Sequence, residues 1–174
     1  LVQSCLERRH FFLDLAGRHG SPLYLLEEAA LQERAASFQA AFRSELPDFD
    51  IFFPVKANSH PLVVKTMVQA GLGLEVSSGM ELDWAVQAGS RRILFSGPAK
   101  TDDELELALR HHDRVTVIMD SWRELERLAE LTSRHKQVIS AGVRMAAGAG
   151  NSSWGKFGIA LDELRPFAEQ ASIS

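Results

Sequence analysis

Cysteine is almost missing from this chain of 174 residues, in which Cys5 is the single example. One thiol excludes an internal disulfide framework and a metal site built from several thiolates. No apolar run approaches the roughly 20 residues that a membrane-spanning helix needs. No charged segment followed by an apolar one marks a leader. We therefore expect a protein of the cytoplasm that does not enter a membrane.

An excess of basic residues is also missing. Lysine and arginine together number 19 against 23 aspartates and glutamates, which gives a net charge of −4. No basic stripe is superimposed on this balance, and binding to a nucleic acid depends on such a surface. We expect a small-molecule ligand and no nucleic-acid partner.

Histidine is present, but its spacing does not indicate a metal site. His111, His112 and Asp113 are adjacent in the chain, so their side chains leave a helix in different directions and cannot easily share one ion. We expect this run to end a helix, where a cationic histidine suits the dipole. No metal ligand is predicted.

Apolar segments alternate with helical ones through most of the chain. Strands are predicted at residues 49–55, 72–77, 92–96, 115–119 and 137–145, and helices at 61–70, 79–88, 102–110, 121–133 and 161–171. Thr101-Asp102-Asp103-Glu104 has the spacing of a capping box at one helix start. This alternation predicts a parallel α/β sheet covered by helices, either open and doubly wound or closed as a barrel.

The first part of the chain has a different pattern. Residues 1–18 are predicted to form an amphipathic helix, 23–26 a short strand and 27–45 a second helix. We expect residues 1–26 to be an amino-terminal helix and strand, and residues 27–174 to form the α/β domain.

A lysine follows the first apolar strand of that domain. Val55-Lys56-Ala57-Asn58 comes directly after Ile51-Phe52-Phe53-Pro54. Burial at such a strand end would lower the pKa of Lys56 and favour the neutral, nucleophilic amine that a Schiff base requires. The alternative is a strand that ends at the surface with its lysine in water.

Five motifs in one order carry a resemblance to a known family. They are Phe53-Pro54-Val55-Lys56-Ala57-Asn58-Ser59, the stretch 71–82 from Gly71 to Leu82, the stretch 95–105 from Phe95 to Leu105, Arg144 at the end of a later strand, and Lys156-Phe157-Gly158-Ile159. The chain resembles the fold-type III decarboxylases that depend on pyridoxal 5'-phosphate (PLP). That group contains the diaminopimelate and ornithine decarboxylases and is related to alanine racemase.

The resemblance implies a partial (β/α)8 barrel of the alanine-racemase type, with about five of its eight strands present. It implies that a carboxyl-terminal β domain is absent from this chain, which we expect to be the amino-terminal part of a longer protein. The segment 23–26 resembles a strand that pairs with that domain in the family. The resemblance further implies a homodimer of the intact protein.

The resemblance also assigns roles to four residues near predicted strand ends. Lys56 would carry the Schiff base with PLP, and Pro54 would line the cofactor site. Glu75 occupies the position where the family usually has an aspartate, and a carboxylate there favours the protonated imine. Arg144 would contact the ring hydroxyl of the cofactor or a neighbouring group. The alternative for Glu75 and Arg144 is an ion pair with each other across the mouth of the barrel.

The implied activity is PLP-dependent decarboxylation of a basic or dicarboxylic amino acid, of the diaminopimelate, ornithine, lysine and arginine class. An amino-acid racemase is the alternative among enzymes. A PLP-binding protein without catalysis, such as a carrier or a regulator, is the alternative of another class.

A second motif points towards nucleotide binding. Residues 150–156 fit G-x-x-x-x-G-K, but Phe157 stands where a phosphate-binding loop needs serine or threonine, and Gly158 follows at once. We therefore expect no nucleotide site and assign residues 151–154 to a loop over the cofactor site.

Overall fold

The structure, a computed structural model, describes residues 2–146 and 156–173. Its centre is a sheet of five parallel strands in the order β1-β2-β3-β4-β5. The strands are β1 (Phe52–Pro54), β2 (Gly73–Val76), β3 (Ile93–Phe95), β4 (Val115–Met119) and β5 (Ser140–Val143). Each strand lies beside its successor, so the order never reverses as it does in a doubly wound sheet. The predicted α/β barrel wall is confirmed over these five strands.

Eight helices accompany the strands in the described ranges. They are α1 (Val2–Glu7), α2 (Arg9–His19), α3 (Glu28–Arg43), α4 (Pro61–Gln69), α5 (Gly79–Gln87), α6 (Asp102–Arg110), α7 (Trp122–His135) and α8 (Leu164–Ile173). Within those ranges no helix is both long enough and apolar enough to cross a bilayer. The strand β4 and the helix α6 have the predicted bounds.

Two predictions for the first 26 residues are wrong. The expected single helix is divided at Arg8 into α1 and α2, and residues 23–26 do not form a strand. A strand exists only when its backbone is paired with a neighbour, and nothing in the described part of the chain pairs with this segment. Its side chains are correspondingly exposed, with Tyr24 fully so.

The core lies between the sheet and its helices. Along β4 the residues Val115, Val117 and Met119 are buried, while Thr116 and Ile118 are half-buried. This alternation with a period of two places the first set against the helices and the second set on the opposite face. Within β4, the residues that can face a ligand are therefore those on the second face and at the strand end.

Proline is tolerated in β1 because of the direction of its backbone. Gly73 donates its N–H to the carbonyl of Ile51 across the β1–β2 pair. The backbone N–H and C=O groups of successive strand residues point in alternating directions. Those of Ile51 and Phe53 therefore point towards β2, and the backbone nitrogen of Pro54 points away from it. The missing donor of Pro54 thus removes no bond between β1 and β2, although Pro54 is paired in register with Glu75.

Glutamates at the third position of three helices hold the turns that follow the strands. Glu81 accepts a bond from the Ser77 N–H at 2.6 Å. Glu104 accepts from its own cap, Thr101 N at 2.8 Å, and from Gly79 N of the preceding unit at 2.6 Å. The predicted capping box at Thr101 is confirmed, and it also joins neighbouring turns.

Glu124 repeats this arrangement in α7. It accepts bonds from Asp120 N at 2.8 Å in its own turn and from Lys100 N at 3.1 Å in the turn before. His111 is the carboxyl cap of α6, as expected for the histidine run. The turns after β2, β3 and β4 are therefore linked to one another through the carboxylates of Glu104 and Glu124.

We expect Glu104→Gln to destabilise the intact protein at pH 7 by about 1 kcal/mol, the usual cost of losing a cap. Burial raises the pKa of Glu104, but bonds from the N–H groups of Thr101 and Gly79 outweigh burial and hold it below its ordinary value. A carboxylate with a depressed pKa in the folded state stabilises above its unfolded pKa, and this contribution is lost as the pH falls through the folded value. Urea unfolding from pH 7 down to about pH 3 should show the difference from wild type shrinking.

Glu106→Gln, on the same helix, is the matched control because Glu106 caps no backbone group in the described contacts. A Glu104→Gln difference that stays constant over this pH range would contradict the capping role.

Candidate active site at the carboxyl ends of the strands

Several polar residues converge at one end of the sheet, on the face opposite the helices. The register aligns Pro54, Glu75, Leu94, Thr116 and Ser140 side by side. Alternate residues of a strand share a face, so Ser96 and Arg144 lie on the same face as Glu75. Both continue the ladder, with Ser96 N bonded to the Val76 carbonyl and Arg144 N to that of Met119. Lys56, Glu75 and Arg144, which the sequence places near strand ends, are thus found at this end of the sheet, and Ser96 lies among them.

Lys56 lies in a 3-10 turn, Val55–Ala57, that directly follows β1. Val55 is fully buried and anchors the turn, whereas the Lys56 side chain is 61% exposed. The expected burial of Lys56 is therefore wrong, because the turn carries the lysine beyond the last strand pair and out of the core. Its amine is accessible to a ligand at the strand ends.

The carboxylate of Glu75 is the described partner of Lys56. The Nζ of Lys56 lies 3.4 Å from the Oε1 of Glu75, whose side chain is only 17% exposed. The same oxygen accepts a hydrogen bond from the hydroxyl of Ser96. The longer side chain of glutamate thus still reaches the lysine, and Ser96 fixes the orientation of its carboxylate.

Arg144 has partners of its own. Its Nη1 lies 2.9 Å from Oδ1 of Asp120, and its Nη2 donates to the Ser96 carbonyl at 3.2 Å. The guanidinium also lies 5.6 Å from the ring centroid of Phe157, a cation–π distance. Because Glu75 pairs with Lys56 and Arg144 with Asp120, the alternative of an ion pair between Glu75 and Arg144 is wrong. Ser96 contacts both through different atoms.

Among the described residues, the lysine that is enclosed by the protein is Lys100. Its side chain is 1% exposed and its Nζ lies 3.2 Å from Oε2 of Glu124, itself 3% exposed. Burial lowers the pKa of Lys100, while the negative charge of Glu124 acts in the opposite direction. Asp120 and Glu124 were missed by sequence reasoning. The only signal for Asp120 was its position between β4 and the cap of α7.

The motif Lys156-Phe157-Gly158-Ile159 packs against the end of β5. Ile159 N donates to the Arg144 carbonyl at 2.8 Å, and Ala146 N donates to the Ile159 carbonyl at 2.9 Å. Gly158 has a φ of +82°, and a Cβ there would lie 2.7 Å from the Arg144 carbonyl oxygen, so only glycine suits this position. The described residues 156–159 of this segment are not helical. The expected loop at residues 151–154 lies outside the described residues.

Comparison with known proteins gives the family. The model of the "pyridoxal-dependent decarboxylase, pyridoxal binding domain" family matches residues 29–174. The chain belongs to this family. Its membership implies PLP as the cofactor.

Two curated relatives are diaminopimelate decarboxylases. The chain is 34% identical over 141 residues to a diaminopimelate decarboxylase of Methanothermobacter thermautotrophicus, covering 80% of this chain and 32% of that protein. It is 35% identical over 138 residues to that of Bacillus subtilis, covering 78% and 31%. The chain thus spans about a third of the length of these relatives.

Solved structures agree on the fold. The structure of AQ1208 from Aquifex aeolicus is 30% identical, with a TM-score of 0.78 over 93% of this chain and 38% of that one. A diaminopimelate decarboxylase of M. jannaschii gives a TM-score of 0.82 at 23% identity, over 91% and 40% of the two chains. The described chain therefore has the fold of part of these proteins.

The described residues fit PLP in their chemistry. An aldehyde needs an accessible primary amine, which Lys56 supplies and the enclosed Lys100 does not. An anionic ring oxygen needs a cationic donor, and the Arg144 side chain is 34% exposed on the same face. Pro54 is half-buried and lies beside Glu75 in the register, where it offers an apolar surface.

We expect Glu75→Ala and Arg144→Ala each to weaken PLP retention of the intact protein by roughly tenfold or more, because each removes a charge-assisted contact. The melting temperature of the apoprotein should change little, and Glu75→Asp should be mild. Equilibrium dialysis with PLP and thermal unfolding measure the two effects separately.

Glu130→Ala is the matched control, since the described contacts of the Glu130 carboxylate are an exposed ion pair with Arg134 on α7. If Glu75→Ala and Arg144→Ala lower the melting temperature and leave PLP retention at the wild-type level, the assignment of both residues to the cofactor is wrong.

Proposed function

We propose that the intact protein is a PLP-dependent decarboxylase of a basic or dicarboxylic amino acid, with Lys56 as the Schiff-base lysine. The observation that carries the proposal is the exposed amine of Lys56, 3.4 Å from the Glu75 carboxylate at the carboxyl ends of the strands. This amine lies within the part of the chain that the pyridoxal-binding family matches.

Each of the other three residues has a distinct task in this proposal. Glu75 keeps a negative charge beside the Lys56 nitrogen and so stabilises a proton on it. Arg144 contacts the ring hydroxyl or its neighbourhood, oriented by Asp120 and the Ser96 carbonyl. Pro54 supports the cofactor from the β1 side. When bound, PLP supplies an electron sink for the bond that breaks at the substrate.

Diaminopimelate is the first substrate to test within the proposed class. Three curated relatives are named diaminopimelate decarboxylase, and each is about a third identical in sequence to the aligned part of this chain. Ornithine, lysine and arginine complete the class. A homodimer and a cytoplasmic location, both expected from the sequence, and residues 27–174 as the PLP-binding part belong to the same proposal.

We predict that the intact protein releases carbon dioxide from at least one of diaminopimelate, ornithine, lysine and arginine above the background of free PLP. Lys56→Ala should reduce this release to that background, because the residue that binds the cofactor covalently is lost. Lys65→Ala is the matched control, since Lys65 is an exposed lysine on α4, and it should retain activity.

Two outcomes would contradict decarboxylation. Loss of optical activity of an amino acid without carbon dioxide release would favour the racemase. Tight PLP binding with neither reaction, across the panel, would favour a non-catalytic binding protein.

A further inference from the structure

The ion pair of Lys100 and Glu124 is unusual in its burial. Every proton of the Lys100 ammonium has an acceptor: the Gly97 carbonyl at 2.6 Å, the Ile118 carbonyl at 2.7 Å and Glu124 Oε2 at 3.2 Å. Removing two charges from water costs so much that a buried pair is a poor source of net stability. What this pair does supply is a fixed separation between the backbone segments that its hydrogen bonds join.

Those hydrogen bonds connect the turn after β3 with the turn after β4. The Nζ of Lys100, which belongs to the first turn, reaches the Ile118 carbonyl at the end of β4. Glu124, from the second turn, accepts from the backbone N–H groups of both Lys100 and Asp120. Ala99 has a φ of +56°, a conformation that costs a non-glycine residue energy and persists only when its surroundings impose it.

Arg144 joins the same two turns from the side of the candidate site. One of its nitrogens binds the Asp120 carboxylate and another binds the Ser96 carbonyl, next to Gly97. Glu124 holds the backbone of Asp120, and Lys100 holds the Gly97 carbonyl. The buried pair therefore sets the separation of the two acceptors that orient the Arg144 guanidinium.

We propose that Lys100 and Glu124 are positioning residues for the cofactor site, and that they act on PLP through Asp120, Ser96 and Arg144. Neither residue contacts the cofactor. The inference rests on the proposed function, in which Arg144 contacts PLP. A role in folding alone is the competing explanation, and the two explanations differ in how the pair is coupled to Arg144.

Lys100→Met in the intact protein removes the ammonium and keeps a side chain of similar length. Its dissociation constant for PLP, measured by titration of the apoprotein, should rise by roughly tenfold or more, since small misplacements of a binding group have effects of this size or larger. In an Arg144→Ala background the same substitution should add less than about a twofold change, because the group through which it acts is already gone.

If Lys100→Met alone does not fold, PLP affinity is measured on the double variant Lys100→Met/Glu124→Gln instead. A lone buried Glu124 would be an uncompensated charge, whereas the double variant removes both charges. It should recover the melting temperature and still bind PLP weakly. Leu131→Ala, a buried change on α7 away from the strand ends, is the control for loss of stability and should leave PLP affinity unchanged.

The failures of the two proposals are distinguishable. Wild-type protein that does not retain PLP overturns the proposed function and this inference with it. If the wild-type protein retains PLP but the double variant binds PLP with an affinity within about twofold of wild type, only this inference is overturned. An equal loss of affinity in the Arg144→Ala background would also overturn it.

Discussion

Hydrogen bonds from backbone N–H groups to the glutamates at the third position of α6 and α7 hold neighbouring strand ends together. Glu104 and Glu124 each accept from their own turn and from the turn before. Bonds to an ionised acceptor are stronger than neutral ones, and they satisfy N–H groups that a helix start leaves unpaired. Glu75 and Ser96 directly precede these turns, and Arg144 binds the Asp120 carboxylate and the Ser96 carbonyl beside them. The geometry of the site therefore depends on the turns.

The same arrangement separates two kinds of lysine. Lys100 is enclosed by the turns, and its ammonium group donates hydrogen bonds to the carbonyls of Gly97 and Ile118 and to the Glu124 carboxylate. Lys56 precedes the first of the capped turns and keeps an exposed amine with one carboxylate beside it. Lys100 therefore stabilises the turns at the strand ends, whereas Lys56 is accessible to a ligand. Arg144 binds Asp120 and the Ser96 carbonyl, and so connects these turns to the exposed face of the sheet.

The sequence predicted the sheet, its helices and the family, because alternating periodicity and capping signals are local. The bounds of β4 and α6 follow from the alternation at Val115–Met119 and from the capping box at Thr101. It did not predict which lysine is buried, since the enclosure of Lys100 depends on Glu124 on another helix. The ion pair between Arg144 and Asp120 depends on the register of separate strands, which local sequence does not reveal. The strand predicted at residues 23–26 does not form because it has no neighbouring strand, and local sequence does not reveal that either.

Covalent attachment of PLP to Lys56 is the central claim, and borohydride reduction tests it most directly. Reduction of the intact holoprotein fixes the cofactor on the lysine that carries it, and peptide mapping by mass spectrometry locates that lysine. The account predicts the label on Lys56, and no label on the Lys56→Ala variant. A label on Lys65, Lys100 or Lys156, or its persistence in Lys56→Ala, would contradict the account.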